Sequence, residues 1–279
     1  MTQALAETWQ TDYLYHGGSA TVLDRVKKYG LQPRAIHKGK DNWKHTVTSN
    51  KNAVYLTSTY PWHFAAVASN EEVGVIYEIK PLYLLPWLLC PDEDFLEQAS
   101  RGHGPGPKSP HAAPTDWSMK KRTMHYRRLA RYNQKLAAPS LETMGTAAYY
   151  GTIPWKGISR YVIIEWKKLH FEFRLRALDS QISILNYKIL QDRHKAFVRW
   201  FFDDPVTPGE LTGGNVWRNA IVEGPDPEGQ VKKLNEQYDK MDAGMAQIMQ
   251  QRDGLTVIKG EENDEAVRSK VLHQGHPLG

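Results

Sequence analysis

Apolar positions fall into short blocks whose spacing switches between the two-residue period of strands and the 3.6-residue period of helices. The first block, Leu14-Tyr15-His16-Gly17-Gly18-Ser19, reads as a strand that ends where the side chains vanish. Val22, Leu23 and Val26 then share one face of a short helix over residues 21–29, with Gly30 placed to cap it. Residues 35–51 are polar and read as a loop. In 52–59, Val54 and Leu56 alternate with Tyr55 and Thr57, a strand pattern. Pro61 opens an Ala-rich helix over 61–69, and 74–80 is another strand. Strand, helix, strand, helix, strand predicts a mixed α and β domain.

Further along, the acids at 92–94 mark a turn and a helix start, where negative charge is favoured. Residues 102–114 form a Gly/Pro-rich loop, 117–136 one basic helix, and 145–153 and 158–166 two strands that finish the sheet. Beyond Lys167 the texture changes. One or two helices are predicted over 169–202, a Pro/Gly-rich linker over 203–229 and a polar helix over 230–252. The stretch 260–279 is poor in apolar residues and is expected to be disordered. The chain thus divides into a domain over 1–168, with a basic insertion at 101–140, and a mostly helical extension over 169–279.

Composition narrows the class. Of 279 residues, 41% are hydrophobic and 24% charged, and no apolar run approaches the roughly 18 residues of a membrane span. Residues 1–11 lack the pattern of a secretory signal. The single cysteine, Cys90, allows neither an internal disulfide nor a cysteine-based metal site, which suits a reducing cytoplasm. We therefore expect a soluble cytoplasmic protein with no membrane partner and no metal. Net charge is +5, but residues 101–140 hold nine Lys or Arg against one acid, Asp116, so the rest of the chain is net negative. Such concentration points to a polyanionic partner, and equally describes a solvated basic helix.

The residues able to carry chemistry are His16 at a strand end, Tyr55 in the second strand, and Asp92 and Asp94 in the acidic turn. Tyr15-His16-Gly17-Gly18 resembles the first motif of the ADP-ribosyltransferase superfold, and Val54-Tyr55-Leu56-Thr57-Ser58-Thr59 before an Ala-rich helix resembles the second. The order of motifs is most similar to the rifampicin ADP-ribosyltransferase family. The strand 75–81 and Pro91-Asp92-Glu93-Asp94 stand where that family has its third strand and acidic turn, and 148–154 is similar to its final strand pair. The resemblance covers roughly 13–166.

It implies an α+β fold with a split mixed or antiparallel sheet, flanking helices and a helical C-terminal extension. It also implies an NAD cleft in which His16 meets the nicotinamide-side ribose, Gly17 and Gly18 admit the carboxamide, and Tyr55, with Thr57 beside it, stacks on nicotinamide. One carboxylate then stabilises the oxocarbenium-like centre, as in glycoside chemistry. By match this is Asp92 or Asp94, with Glu142 as rival; where other branches carry Glu inside a later strand, this chain has Thr146. The implied activity is NAD-dependent mono-ADP-ribosyl transfer. Nucleic acid is the expected acceptor, held by Lys120, Lys121, Arg122, Arg127, Arg128 and Arg131. Two alternatives stand beside it. Gly30 to Arg34 and the basic helix look like parts of the RNA 2′-phosphotransferases, and a non-catalytic binder would use the basic helix alone, with aromatics stacking bases.

Overall fold

A computed structural model describes residues 13–37, 49–100, 112–169, 187–214 and 226–259. In chain order these form β1 (Leu14–Ser19), α1 (Leu23–Tyr29), α2 (Arg34–His37), β2 (Val54–Thr57), α3 (Pro61–Ser69), β3 (Val73–Ile79) and β4 (Leu89–Pro91). Then follow α4 (Glu93–Ser100), α5 (Met119–Arg131), α6 (Ala137–Met144), β5 (Thr146–Tyr149) and β6 (Ile158–Glu165). The last are α7 (Tyr187–Phe201), α8 (Pro208–Thr212), α9 (Pro227–Met249) and β7 (Leu255–Lys259).

The fold is α+β. Its strands form one seven-stranded sheet in the order β4-β5-β2-β1-β3-β6-β7, and each neighbouring pair is antiparallel. The ladder is uneven at its centre. β1 and β3 stay in register from Leu14↔Ile79 to Ser19↔Gly74, whereas β1 and β2 meet at the single pair Tyr15↔Thr57. The junction between β1 and β2, joined by that one ladder pair within the continuous sheet, forms a seam.

Strand alternation sorts the core into two faces. On one, Tyr15, Ile76, Val162 and Ile164 pack against Trp62, Ala65 and Ala66 of α3 and against Phe197, Val198 and Phe201 of α7. On the other, Leu14, Val54, Leu56, Val75, Tyr77 and Ile79 pack against Val26 of α1, Leu31 and Ile153. A smaller cluster of Phe95, Leu96, Tyr126, Ala130 and Met144 ties α4, α5 and α6 together. Each large side chain so buried contributes about 2 to 3 kcal/mol from removed apolar area.

Helix α3 spans the expected residues, with Pro61 in its first turn and Asn70 in the left-handed conformation at its end. Gly30 closes α1 at φ 78°, a conformation that costs other residues their Cβ clearance. Several expectations change. Arg34–His37, expected as loop, makes a helical turn; residues 38–48 of that loop lie outside the described ones. The basic helix stops at Arg131 rather than 136, where Asn133 turns its side-chain amide onto the Leu129 carbonyl at 2.7 Å. A new helix is needed before Pro139, which lacks the N–H that a continuing helix requires but fits a first turn. Strands β4 and β7 were not expected at all. The described parts of the C-terminal extension supply both an edge strand and much of one core: β7 pairs with β6 from Arg160↔Lys259 to Ile164↔Leu255. The tail from 260 and residues 101–111 of the basic insertion lie outside the described residues.

Candidate functional site

Tyr55 pairs with Ala148 of β5, which pairs in turn with Cys90 of β4. With only the Ala148 methyl and the Cys90 thiol in that row, the phenol reaches toward the turn that follows β4. There its hydroxyl donates to Glu93 Oε2 at 2.6 Å and accepts from the Asn50 amide at 2.5 Å. The Tyr150 hydroxyl accepts from Asn50 Nδ2 at 3.1 Å and stands 3.4 Å from Glu93 Oε1. Asn50 is itself fixed, because its Oδ1 accepts from the Asn52 amide at 3.0 Å in a side-chain turn.

Glu93 is 1% exposed. Burial, and then the charge of Asp92, raise its carboxyl to about 7, against the weaker pull of the Tyr55 hydroxyl and Arg127. Burial likewise raises Asp92, opposed by the Asp94 and Glu93 amides. The Asp94 amide donates to Asp92 Oδ1 at 3.0 Å, and the Asp92 amide donates to Ser140 Oγ at 3.1 Å. The Ser140 hydroxyl in turn donates a hydrogen bond to the Thr146 carbonyl at 2.7 Å, so the turn is locked to β5. Two buried carboxyls side by side resist ionising together. Burial and the Glu93 charge also raise both phenols, Tyr55 and Tyr150, so they remain donors at neutral pH. A carboxyl titrating near 7 between two phenols can hold a proton, release it, or face a developing positive charge.

The predicted residues are distributed as follows. The acid that meets Tyr55 is Glu93, between the two that the motif singled out. Asp92 is buried and built into the turn, Asp94 is half-buried, and Glu142 is exposed on α6. Thr57 is buried, and its Oγ1 accepts from the Thr59 and Tyr60 amides at 3.2 and 3.4 Å, shaping the entry into α3.

His16 joins the cluster through the main chain. Its Nδ1 donates to the Tyr55 carbonyl at 2.9 Å, across the seam where the ladder fails. Burial lowers its pKa, so the imidazole is neutral and Nε2 is left as an acceptor. Alternation puts His16 on the face opposite Tyr55, stacked on Tyr77 at 6.2 Å.

The two glycines differ. A Cβ on Gly17 would lie 2.1 Å from the Pro61 carbonyl oxygen and 2.6 Å from the Ala65 nitrogen, so this glycine admits helix α3 rather than a ligand. A Cβ on Gly18 would meet nothing nearer than His16 Nε2 at 3.7 Å, an ordinary van der Waals contact, so this buried position has room for a methyl group against the imidazole.

The basic residues of α5 also divide. Arg122 is paired with Glu97, and Arg127 Nη2 donates to the Ser49 carbonyl at 2.9 Å. Arg34 Nη2 reaches the same oxygen at 2.8 Å, next to Asn50. The Arg131 guanidinium lies over the Tyr150 ring at 5.5 Å. Lys120, Lys121 and Arg128 are exposed.

Sequence reasoning missed Glu93, Asn50, Tyr150 and Arg34 as members of this cluster. For Asn50 the signal was Asn50-Lys51-Asn52 directly before a strand, a pattern that suits a side-chain turn. A scan of protein-family models finds no match to this chain, and neither does a search of curated proteins.

Proposed function

We propose that the protein cleaves NAD and transfers its ADP-ribosyl group to a nucleic-acid acceptor, releasing nicotinamide. The observation that carries this is the joining of Tyr55, Glu93 and His16 at the seam between β1 and β2. NAD then crosses the seam. On one side neutral His16 accepts from a ribose hydroxyl at Nε2, beside Gly18, which puts no side chain against the imidazole. On the other, the Tyr55 ring packs on nicotinamide.

Glu93, ionised above about pH 7, faces the positive charge that builds on the ribose as the C–N bond to nicotinamide lengthens. The Tyr55 and Tyr150 hydroxyls hold that carboxylate in place. The acceptor nucleophile bonds to the ribose carbon and loses its proton to Glu93 or to water. The cationic residues of α5 supply the reason to place the acceptor among nucleic acids.

The test is incubation with NAD labelled in the adenosine half, followed by mass spectrometry of added RNA and DNA. Wild type is expected to add ADP-ribose to nucleic acid. His16→Ala and Glu93→Gln, one on each side of the seam, should each reduce the yield at least about 100-fold. Conversion of a 2′-phosphorylated RNA that survives Glu93→Gln would replace this reaction with 2′-phosphate transfer. Nucleic-acid binding with no change in NAD would leave a binding protein.

A further inference from the structure

We propose that the outer face of α5 is a track for single-stranded nucleic acid, running from Lys120 to the Tyr150 end of the site. This deepens the acceptor class proposed above and rests on it for biological purpose, although the binding itself can be measured without NAD.

Helix α5 has six Lys or Arg and no acid among its thirteen residues. Its inner face spends Arg122 on Glu97 and Arg127 on the Ser49 carbonyl, while Tyr126 and Ala130 enter the core. What remains outside is Lys120, Lys121 and Arg128, with Arg131 and Tyr132 at the end of the helix. Among the described residues, neither Lys120 nor Arg128 is paired with an acid. From Lys120 to Tyr132 the row is about 18 Å long at 1.5 Å per residue, enough to follow several backbone phosphates.

Charge alone would suit any polyanion, and the aromatics decide between them. Tyr132 is 76% exposed, and Trp87, on the turn packed beside Gln134–Leu136, is 54% exposed. Two large rings left in water beside cations are costly on a surface that meets only phosphates. They have a use where bases are unstacked and present their faces, as in single strands and not in a duplex. The track also leads somewhere. Arg131 lies over Tyr150, whose hydroxyl stands beside Glu93, so a strand laid along α5 ends at the ring that borders the buried acid.

The experiment is fluorescence anisotropy of the full chain with labelled single-stranded and duplex oligonucleotides across a salt series. Single strands are expected to bind more tightly than duplex. The triple variant Lys120→Ala, Lys121→Ala, Arg128→Ala should weaken single-strand binding at least about tenfold and flatten the slope of log K against log salt by about 2. Tyr132→Ala should weaken single-strand binding about tenfold and leave duplex binding unchanged. Lys232→Ala with Lys233→Ala on α9, a change of two exposed charges elsewhere, should do neither.

Equal affinity for duplex, or indifference to Tyr132, would overturn the track. So would the triple variant binding as wild type. Nicotinamide release measured on the same preparations separates the two proposals: its survival with the track gone sinks only the track, and its absence with the track intact sinks only the NAD reaction. Unchanged melting of the variants shows that lost affinity is not lost fold.

Discussion

Glu93 shows how much depends on one side chain. A carboxyl raised to about 7 in the folded protein, against 4.5 in an open chain, favours the protonated form on folding. Its contribution to stability is fully present below about pH 4.5 and is lost as pH rises through about 7. We expect wild type to lose on the order of 3 kcal/mol relative to Glu93→Gln between pH 4.5 and pH 9, read from urea unfolding at each pH. Parallel pH profiles for the two proteins would show that Glu93 is not buried as described. The motif pointed to Asp92 and Asp94 because sequence spacing gives the turn but not its rotation, and rotation decides which of three adjacent acids meets Tyr55. The glycines give a second contrast. Gly17→Ala should cost at least about 2 kcal/mol, since backbone of α3 fills the space where the Cβ would go. Gly18→Ala should melt close to wild type yet weaken NAD binding in calorimetry, because its methyl would stand 3.7 Å from His16 Nε2, where the proposed ribose contact is made. Equal melting of the two variants would refute the assignment of helix packing to Gly17.

Elements with local signals were legible in the chain: β1, β2, α3, β3 and β6 follow from alternation, Pro61 and the loss of side chains after His16. β7 was not. Leu255-Thr256-Val257-Ile258-Lys259 is a five-residue run after a polar helix, and its strand character comes from pairing with β6, a distant partner in sequence. β4 is shorter still and is defined by its pairing with β5. The extent of α5 was misjudged because the apolar spacing runs on to Leu136 while Asn133 and Pro139 interrupt the backbone. A buried ion network likewise joins elements that composition does not connect. Glu78 of β3 is 2% exposed and accepts from Arg160 of β6 at 2.8 Å, and Arg160 also donates to Asp204 beyond α7 at 2.6 Å. Arg160→Ala should destabilise by about 3 kcal/mol by leaving Glu78 buried without its partner, and adding Glu78→Gln should recover much of that. Denaturant unfolding of the single and double variants checks this, and an additive pair would contradict a shared network.

At the scale of the whole molecule, β1 and β2 are joined by a single ladder pair, and the proposed chemistry lies along that seam. His16 and Tyr55 were expected to converge as side chains. They meet instead through a carbonyl, on opposite faces, so the proposed NAD would have to pass between β1 and β2, in the interior of the sheet, to use both. The described helices beyond Lys167 complete the core on the α3 face, while α4, α5 and α6 pack on one another in a cluster of their own. No helix among the described residues is long and apolar enough to span a membrane. The most direct test is the rate of nicotinamide release from NAD as a function of pH, in wild type and in Glu93→Gln, with acceptor nucleic acid present. The account expects wild-type release to rise with an apparent pKa near 7, and the variant to be at least about 100-fold slower on the plateau above about pH 8, with the gap closing as pH falls. Release that is equally fast in both proteins, or absent from wild type throughout, would contradict it.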